Sequence, residues 1–503
     1  MITLKTDGHP FRYEMESLCR VFFPFSDIRP PRGEKEDPEI RIGTALQKAG
    51  KGIRISVSLR RAGGEEKRRE ESLPGTAGRE EQERRMAVLH WKILSDTFGY
   101  RPQWGVLTGV RPVKLLGRLA ARMGEEETGR FFREELLVSP GKTALAFRTW
   151  RNQKKILALN RPDCFSLYIA IPFCPTRCAY CSFVSSSVEK TARLIPRYVD
   201  LLCGEIRRTG EISRNLGLKL QSVYIGGGTP TVLSPAQLLA VMGAVRDSFD
   251  FKDCREFTVE AGRPDTFTPE RLEAIRKGGA TRISINPQTL NDEVLRAIGR
   301  RHTTAQTLSA FSLARRCGFR NINMDLIAGL PKDSPESFRR TLRGVLALSP
   351  ECVTVHTLAL KRASRLTKEN AERIPPAEGA REVGRMLGGA DSSLSRAGYS
   401  PYYLYRQSRM VGNLENTGWA KAGFECLYNV MIMEECQTIL ACGAGAVTKL
   451  RDPYADRIER IFNFKYPYEY IGRYQEMMSR KDRVSEFYAG ISNRFQSLPD
   501  ERQ

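Results

Sequence analysis

Apolar residues recur along this chain in two rhythms, and the switching between them divides it into three parts. In the middle part, apolar β-rich runs fall at Leu167 to Pro172, Ser222 to Ile225, Glu256 to Glu260, Arg282 to Ile285, Asn321 to Ile327 and Cys352 to Leu358. Each is separated from the next by a segment with helical spacing. Such alternation predicts parallel strands joined by right-handed crossovers. Six units make a partial, three-quarter parallel β/α barrel, an α/β fold whose functional residues belong at the strand C-termini.

The flanking parts are less regular. Residues 1–160 open with a strand-like Ile2-Thr3-Leu4-Lys5, a helix near Tyr13 to Phe22 and an alternating strand from Gly52 to Leu59. Helical periodicity follows from Gln82 to Phe98, then a Gly- and Pro-punctuated segment around Trp104 to Pro112. This predicts a small N-terminal α+β domain without a catalytic constellation. With the barrel over 161–362, residues 363–503 form a C-terminal α+β extension. It has a linker at Ile374-Pro375-Pro376, a helix-like stretch to Ala397 and a strand-like run from Tyr402 to Arg406. Tyr402, Tyr403 and Tyr405 either line a pocket or divide between core and surface.

Composition narrows the setting. Twelve Cys in 503 residues, mostly inside apolar runs, read as reduced core thiols rather than a disulfide framework. No charged-then-apolar leader appears, and no uncharged apolar run approaches the ~20 residues that span a bilayer. These features predict a cytoplasmic protein. The formal charge of +22 suits RNA, anionic surfaces, small polyanions or simply an Arg-rich proteome. Mixed runs such as Gly64-Glu65-Glu66-Lys67-Arg68-Arg69-Glu70-Glu71 read as solvated loop or helix faces. No RNA-binding signature is visible, which places nucleic acid lowest among the partners.

The candidate chemistry sits at Cys174, Cys178 and Cys181, a CxxxCxxC directly after the first barrel strand. Three thiolates in eight residues can cap three irons of a cubane cluster and leave the fourth open. Zinc is the main rival, but it wants two ligand pairs or a nearby His, and none of the four His is close in sequence.

Tyr168-Ile169-Ala170-Ile171-Pro172-Phe173-Cys174 followed by Cys178-Ala179-Tyr180-Cys181 resembles the radical S-adenosylmethionine (SAM) enzymes of the oxygen-independent coproporphyrinogen III oxidase family. The likeness continues through Gly226-Gly227-Gly228-Thr229-Pro230-Thr231, Val259-Glu260, Arg282-Ile283-Ser284-Ile285, Gln288 and Asp325-Leu326-Ile327-Ala328-Gly329-Leu330-Pro331. The front end, with Trp104-Gly105-Val106-Leu107-Thr108-Gly109-Val110-Arg111-Pro112, looks like the long coproporphyrinogen dehydrogenase variant of Gram-positive anaerobes. The resemblance implies a [4Fe-4S] cluster on the three cysteines and SAM as second cofactor. It implies adenine beside Tyr180, and backbone approach to the methionine end at Gly226, Gly227, Gly228 and Thr229. Ribose contacts fall to Glu260 and Asp325, and further SAM contacts to Gln288 and Arg300. Tyr168 matches a family Tyr with catalytic and cofactor roles, and reads equally as a core aromatic. For Arg300 a surface salt bridge is the competing reading. Gly443-Ala444-Gly445-Ala446 resembles a family segment near the substrate cavity.

By resemblance, a 5′-deoxyadenosyl radical takes hydrogen from a propionate of coproporphyrinogen III, and carbon dioxide and one electron are lost, twice, giving protoporphyrinogen IX. Lys361 and Arg362 are the candidate propionate contacts. An external electron donor such as flavodoxin or ferredoxin is implied. Three departures bear on substrate: Phe183 stands where the well-known oxidases carry a further Cys, Ala170 where they commonly carry His, and the region beyond Leu450 is shorter than in those enzymes. A haem chaperone of the same family and an RNA-modifying radical SAM enzyme are the alternatives.

Overall fold

The computed structural model describes residues 1–24, 26–32, 38–181, 186–359, 376–407 and 409–496. The chain forms two compact units, one of residues 1–150, 357–389 and 404–416, the other of residues 151–356, 390–403 and 417–503.

In the first unit, β1 (Ile2–Asp7), β2 (Ile28–Arg29), β3 (Ile40–Ala49), β4 (Gly52–Arg61) and β5 (Glu66–Pro74) form one sheet in the order β2-β1-β3-β4-β5. The helices Arg12–Phe22 and Arg79–Phe98 contribute Met15, Leu18, Met86 and Leu94 to a core with Leu4, Ile42, Ile55 and Val57 from the strands. The charged run after Gly64 is corrected here: it is neither loop nor helix but the edge strand β5, paired in antiparallel register with β4 from Gly52↔Pro74 to Arg60↔Glu66. An edge strand needs backbone partners on one side only, and its charges discourage pairing with another chain.

The Trp104 segment is held within the same unit. Trp104 is fully buried and donates its indole N–H to Glu415 at 2.7 Å, while the Lys142 ammonium reaches the other oxygen of that carboxylate at 2.5 Å. Arg406 lies over the Trp104 ring at 5.3 Å and donates to the carbonyls of Leu107 and Gly109.

The second unit carries β6 (Cys164–Ile171), the short pair β7 (Phe173–Cys174) and β8 (Ser186–Ser187), β9 (Lys219–Gly227), β10 (Glu256–Gly262), β11 (Arg282–Gln288), β12 (Ile322–Ala328) and β13 (Cys352–Thr357). Each long strand from β6 to β12 pairs in parallel with the next, and β13 lies beside β12. The six expected strands are therefore present in their expected order, as an open array. Helices Ile195–Asn215, Pro235–Ser248, Pro269–Lys277, Thr304–Arg316 and Pro335–Leu348 fill the crossovers.

The chain after residue 390 extends this sheet at both edges. β14 (Ser400–Tyr405) and β15 (Asn416–Ala420) continue it beyond β13, with β15 antiparallel to β13. At the other edge β16 (Thr438–Cys442) pairs in parallel with β6, followed by β17 (Val447–Arg451) and β18 (Ile458–Phe462). An open array leaves backbone donors and acceptors unmet on its outer strands, and these additions satisfy them. Tyr402 and Tyr403 are both buried, so β14 does not alternate between core and surface.

Candidate radical SAM site

The ends of the parallel strands bring most of the sequence-predicted residues together. β6 delivers Cys174, Cys178 and Cys181 through a loop tied down at several points. The β7–β8 pair brackets it, Ala179 N–H donates to the Ile298 carbonyl at 3.0 Å, and buried Arg263 donates to the hydroxyl and carbonyl of Thr176 at 2.6 and 3.3 Å. Asp265 holds the other edge of that guanidinium at 3.0 and 2.6 Å. None of the twelve cysteines is in a disulfide, and the three of the loop are half-buried. Among the described residues, no three His, Cys, Asp or Glu side chains are gathered around one point as a ready metal site. The donor set has the soft chemistry that an iron–sulfur cluster takes.

The glycine run after β9 is required by this loop. Gly228 N–H donates to the Ile171 carbonyl at 2.7 Å and Thr229 N–H to that of Phe173 at 2.8 Å. A Cβ on Gly228 would stand 2.4 Å from the Phe173 carbonyl oxygen, and one on Gly226 would stand 2.7 Å from the Glu260 carboxylate. Bare backbone is thus what lets β9 lie against the cysteine segment and admit Glu260. Thr229 also turns its hydroxyl to the Cys174 sulfur at 3.6 Å.

Glu260 accepts from the Tyr224 hydroxyl at 2.5 Å and from Gly227 N–H at 3.4 Å. Burial, reinforced by the charge of Asp325, pushes its carboxyl up to about 7 despite those bonds. Asp325 responds differently. Burial pulls it upward, but His356, Asn323 and Thr354 outweigh that and hold it below its usual value. Asn323 donates to it at 2.7 Å, and the His356 ring nitrogen lies 3.9 Å away.

Gln288 and Arg300 are the clearest signs of an expected ligand. Gln288 adopts φ +69° at the end of β11, a left-handed conformation that costs a non-glycine residue energy. Its side-chain oxygen is buried without a partner among the described residues, the kind of exception that calls for a ligand. Arg300 is 8% exposed and donates to the Tyr180 hydroxyl at 3.0 Å and the Asn286 carbonyl at 2.8 Å, and its Nε has no partner among the described residues. It is a buried guanidinium against Tyr180, so the surface salt bridge does not describe it.

Three aromatics form a wall that the sequence shows only in part. Tyr168 on β6 stands in register with Tyr224 on β9. Their rings stack at 6.2 Å, and Tyr428, from the helix Leu427–Glu434, stacks on both at 6.0 and 4.5 Å. Tyr224 was detectable as an inward residue two before the glycines. Tyr428 carried no signal, since only folding brings it to β6 and β9. His302, buried beside Arg300 and Asp265, was likewise unmarked, and burial together with Arg300 pushes it down to about 4.

Gly443-Ala444-Gly445-Ala446 packs tightly behind β6. Gly443 has φ +98°, and a Cβ there would meet the Ala170 carbonyl oxygen at 2.5 Å. Its N–H donates to fully buried Glu205, which also takes Lys481 at 2.7 Å, Asn463 at 2.7 Å and the Tyr470 hydroxyl at 2.7 Å. Lys361, Arg362 and Phe183 lie outside the described residues.

Comparison with known proteins gives a consistent set of likenesses. The profile of the radical SAM superfamily matches residues 168–345; the cofactors of that superfamily are a [4Fe-4S] cluster and SAM. The oxygen-independent coproporphyrinogen-III oxidase-like protein HemZ of Bacillus subtilis is 37% identical over 478 residues, 93% of this chain and 94% of that protein. The heme chaperone HemW of Haemophilus influenzae is 31% identical over 66% of this chain and 82% of its own length. Among solved structures, coproporphyrinogen III oxidase (HemN) from Escherichia coli, a radical SAM enzyme, shares 25% identity over 66% of this chain and 73% of that one, with a TM-score of 0.48. Among the described residues, no helix is long and apolar enough to cross a membrane.

Proposed function

As this chain belongs to the oxygen-independent coproporphyrinogen III oxidase-like family of radical SAM proteins, we propose that it converts two propionates of coproporphyrinogen III to vinyl groups, giving protoporphyrinogen IX. The observation that carries this reading is the gathering of the cysteine loop, Glu260, Gln288, Arg300 and Asp325 toward the ends of β6 to β12, with the Gln288 side-chain oxygen and the Arg300 Nε buried without a partner among the described residues. When bound, the cluster and SAM would supply one-electron, hydrogen-abstracting radical chemistry at the substrate.

The chain's own residues bind and orient. Cys174, Cys178 and Cys181 would hold a [4Fe-4S] cluster through their three thiolates. Gln288 and Arg300 would meet polar groups of SAM with atoms that have no partner among the described residues, and Tyr180, braced by Arg300, would face the adenine. Asp325, held ionised by His356 and Asn323, accepts from a ribose hydroxyl. Glu260 does so when deprotonated. The Tyr168, Tyr224 and Tyr428 wall excludes water and gives a flat surface beside which a macrocycle can be oriented. Lys361 and Arg362 are proposed to take propionates.

A second reading is that of a haem chaperone, supported by the 31% identity to such a protein over most of its length and by Phe183 in place of a further cysteine. An anaerobic assay of the reconstituted protein with SAM, a reductant and coproporphyrinogen III separates the two. Vinyl products and 5′-deoxyadenosine support the oxidase. Tight haem binding without either product supports the chaperone.

A further inference from the structure

A line of neighbouring aromatic rings runs from the protein surface to Phe173, the residue before the first cysteine. Phe173, immediately before Cys174, meets Tyr198 edge-on at 5.2 Å. Tyr198 meets Tyr470 at 5.1 Å, and Tyr470 meets Tyr474 at 5.9 Å. The first three rings are fully buried, whereas Tyr474 is partly exposed. The line is rigidly held: the Tyr198 hydroxyl donates to the Ala170 carbonyl at 2.7 Å, that of Tyr470 to Glu205, and that of Tyr474 to the Leu201 carbonyl at 2.8 Å.

The outer end of this line is basic. Tyr474 seats its hydroxyl on the helix Ile195–Asn215 at Gly204, where a Cβ would stand 2.7 Å from it. Arg197 lies seven residues before Gly204 and Arg207 three after, spacings that put both on or beside the face carrying Tyr474. Their charges also reach Tyr474, stabilising its ionised form against the larger opposing effect of burial. Arg197, Arg207 and nearby Arg193 are exposed and make no ion pair among the described residues. Adjacent Arg208, by contrast, is tied to Asp482 at 2.8 Å and Glu211 at 3.3 Å. Asp200 is exposed on this helix, as is Glu211, which Arg208 holds, and Glu476 beside Tyr474 is held by Arg473 and Arg480, so the positive charge is in excess.

We infer that the face of Arg197 and Arg207 around Tyr474 docks a small acidic one-electron carrier protein, and that the rings of Tyr474, Tyr470, Tyr198 and Phe173 couple the carrier to the cluster. The inference rests on the reading of this chain as a cluster-bearing radical SAM protein. One electron leaves the carrier's reduced flavin or iron–sulfur centre, and one arrives at the cluster held by Cys174, Cys178 and Cys181. No bond in the protein forms or breaks, and the rings serve as a packed medium without being oxidised. Complementary charge steers and orients such an encounter.

The test uses the full-length chain reconstituted under anaerobic conditions, with a bacterial flavodoxin as probe and dithionite as a reductant that needs no docking. The double variant Arg197→Glu, Arg207→Glu is expected to raise the flavodoxin Kd at least about tenfold, with the wild-type affinity falling as salt rises. The variant Arg197→Lys, Arg207→Lys is expected to bind close to wild type. Tyr474→Leu is expected to leave the Kd unchanged and slow flavodoxin-driven cluster reduction, while dithionite-driven SAM cleavage stays at the wild-type level in all three variants. Wild-type affinity in the charge-reversed protein, absence of flavodoxin binding by the wild type, or an unchanged flavodoxin-driven rate in Tyr474→Leu overturns the inference. Failure of the wild type to cleave SAM with dithionite sinks the parent reading instead, and the binding measurement distinguishes that case.

Discussion

Glu260 on β10 and Asp325 on β12 are close enough for one charge to act on the other, yet their surroundings push the two carboxyls apart. Glu260 is raised to about 7, chiefly by burial, and the charge of Asp325 adds to that rise. Asp325 is lowered in spite of its own burial, because His356, Asn323 and Thr354 favour its ionised form. Carboxyls separated in this way can hold different protonation states at one pH, which suits a site that must both accept from and donate to a polar ligand.

The first prediction follows from the sign of the Glu260 shift. A carboxyl whose folded pKa is raised from 4.5 to about 7 contributes stability that is full below 4.5 and lost as pH rises through about 7. Glu260→Gln keeps the acceptor for Tyr224 and removes the titration. Unfolding free energies of wild type and variant should therefore diverge in the variant's favour between about pH 4.5 and 7 and stay apart above that, by an amount on the order of 1–3 kcal/mol. SAM affinity of the wild type should rise over the same window as the carboxylate forms, and that of the variant should stay flat. Parallel pH profiles in the two proteins would remove Glu260 from the ribose contact.

Cys174, Cys178 and Cys181 should each be indispensable to the visible thiolate-to-iron absorbance of the anaerobically reconstituted protein. Serine at any of them should abolish it. Serine at Cys164, Cys203 or Cys317, which lie on other elements, should leave it in place. Stoichiometric zinc with no iron in the anaerobically purified wild type would defeat the cluster assignment.

Gly228→Ala tests whether the glycine run serves the cysteine loop. The added methyl would sit 2.4 Å from the Phe173 carbonyl oxygen and 2.8 Å from that of Ile171, both backbone atoms that cannot swing aside. Iron content after reconstitution should fall sharply, with a loss of stability of roughly 1–3 kcal/mol from the forced backbone shift. Gly243→Ala, on a helix where the methyl meets nothing within 4 Å, is the matched control and should retain iron.

The Glu205–Lys481 pair should behave as a buried ion pair that is costly to break singly. Both groups are at most 2% exposed, and Glu205 also organises Gly443, Asn463 and Tyr470. Glu205→Gln or Lys481→Met should each destabilise by about 3–5 kcal/mol, measured by denaturant unfolding, because the remaining charge is left buried. The double variant Glu205→Gln, Lys481→Met should be less damaged than the sum of the two. Additive losses would show that the pair acts through packing alone.

The strands β6 and β9 to β13, their order, and the cysteine, glycine and acidic positions at their ends were legible from the chain. Strand and helix rhythms of about 2 and 3.6 residues are local properties, and the crossover rule orders parallel strands without further information. The same local reading failed at Glu66–Pro74, where charge hid a strand whose backbone needs only β4. It was silent on the helices at Pro112–Met123, Glu125–Glu134 and Pro140–Leu157.

What folding alone decided are the contacts between residues far apart in sequence. Tyr428 joins Tyr168 and Tyr224 because β16 adds beside β6 and returns the preceding helix to the site. Tyr470 reaches Tyr198, and Lys481 reaches Glu205, across more than 260 residues of chain. The sequence determined which groups could do chemistry at each strand end, since side-chain chemistry and local periodicity are carried by neighbouring residues. Which of those groups acquire a partner, a raised or lowered pKa, or an unmet hydrogen bond was settled only when distant segments were packed together and water was removed from between them.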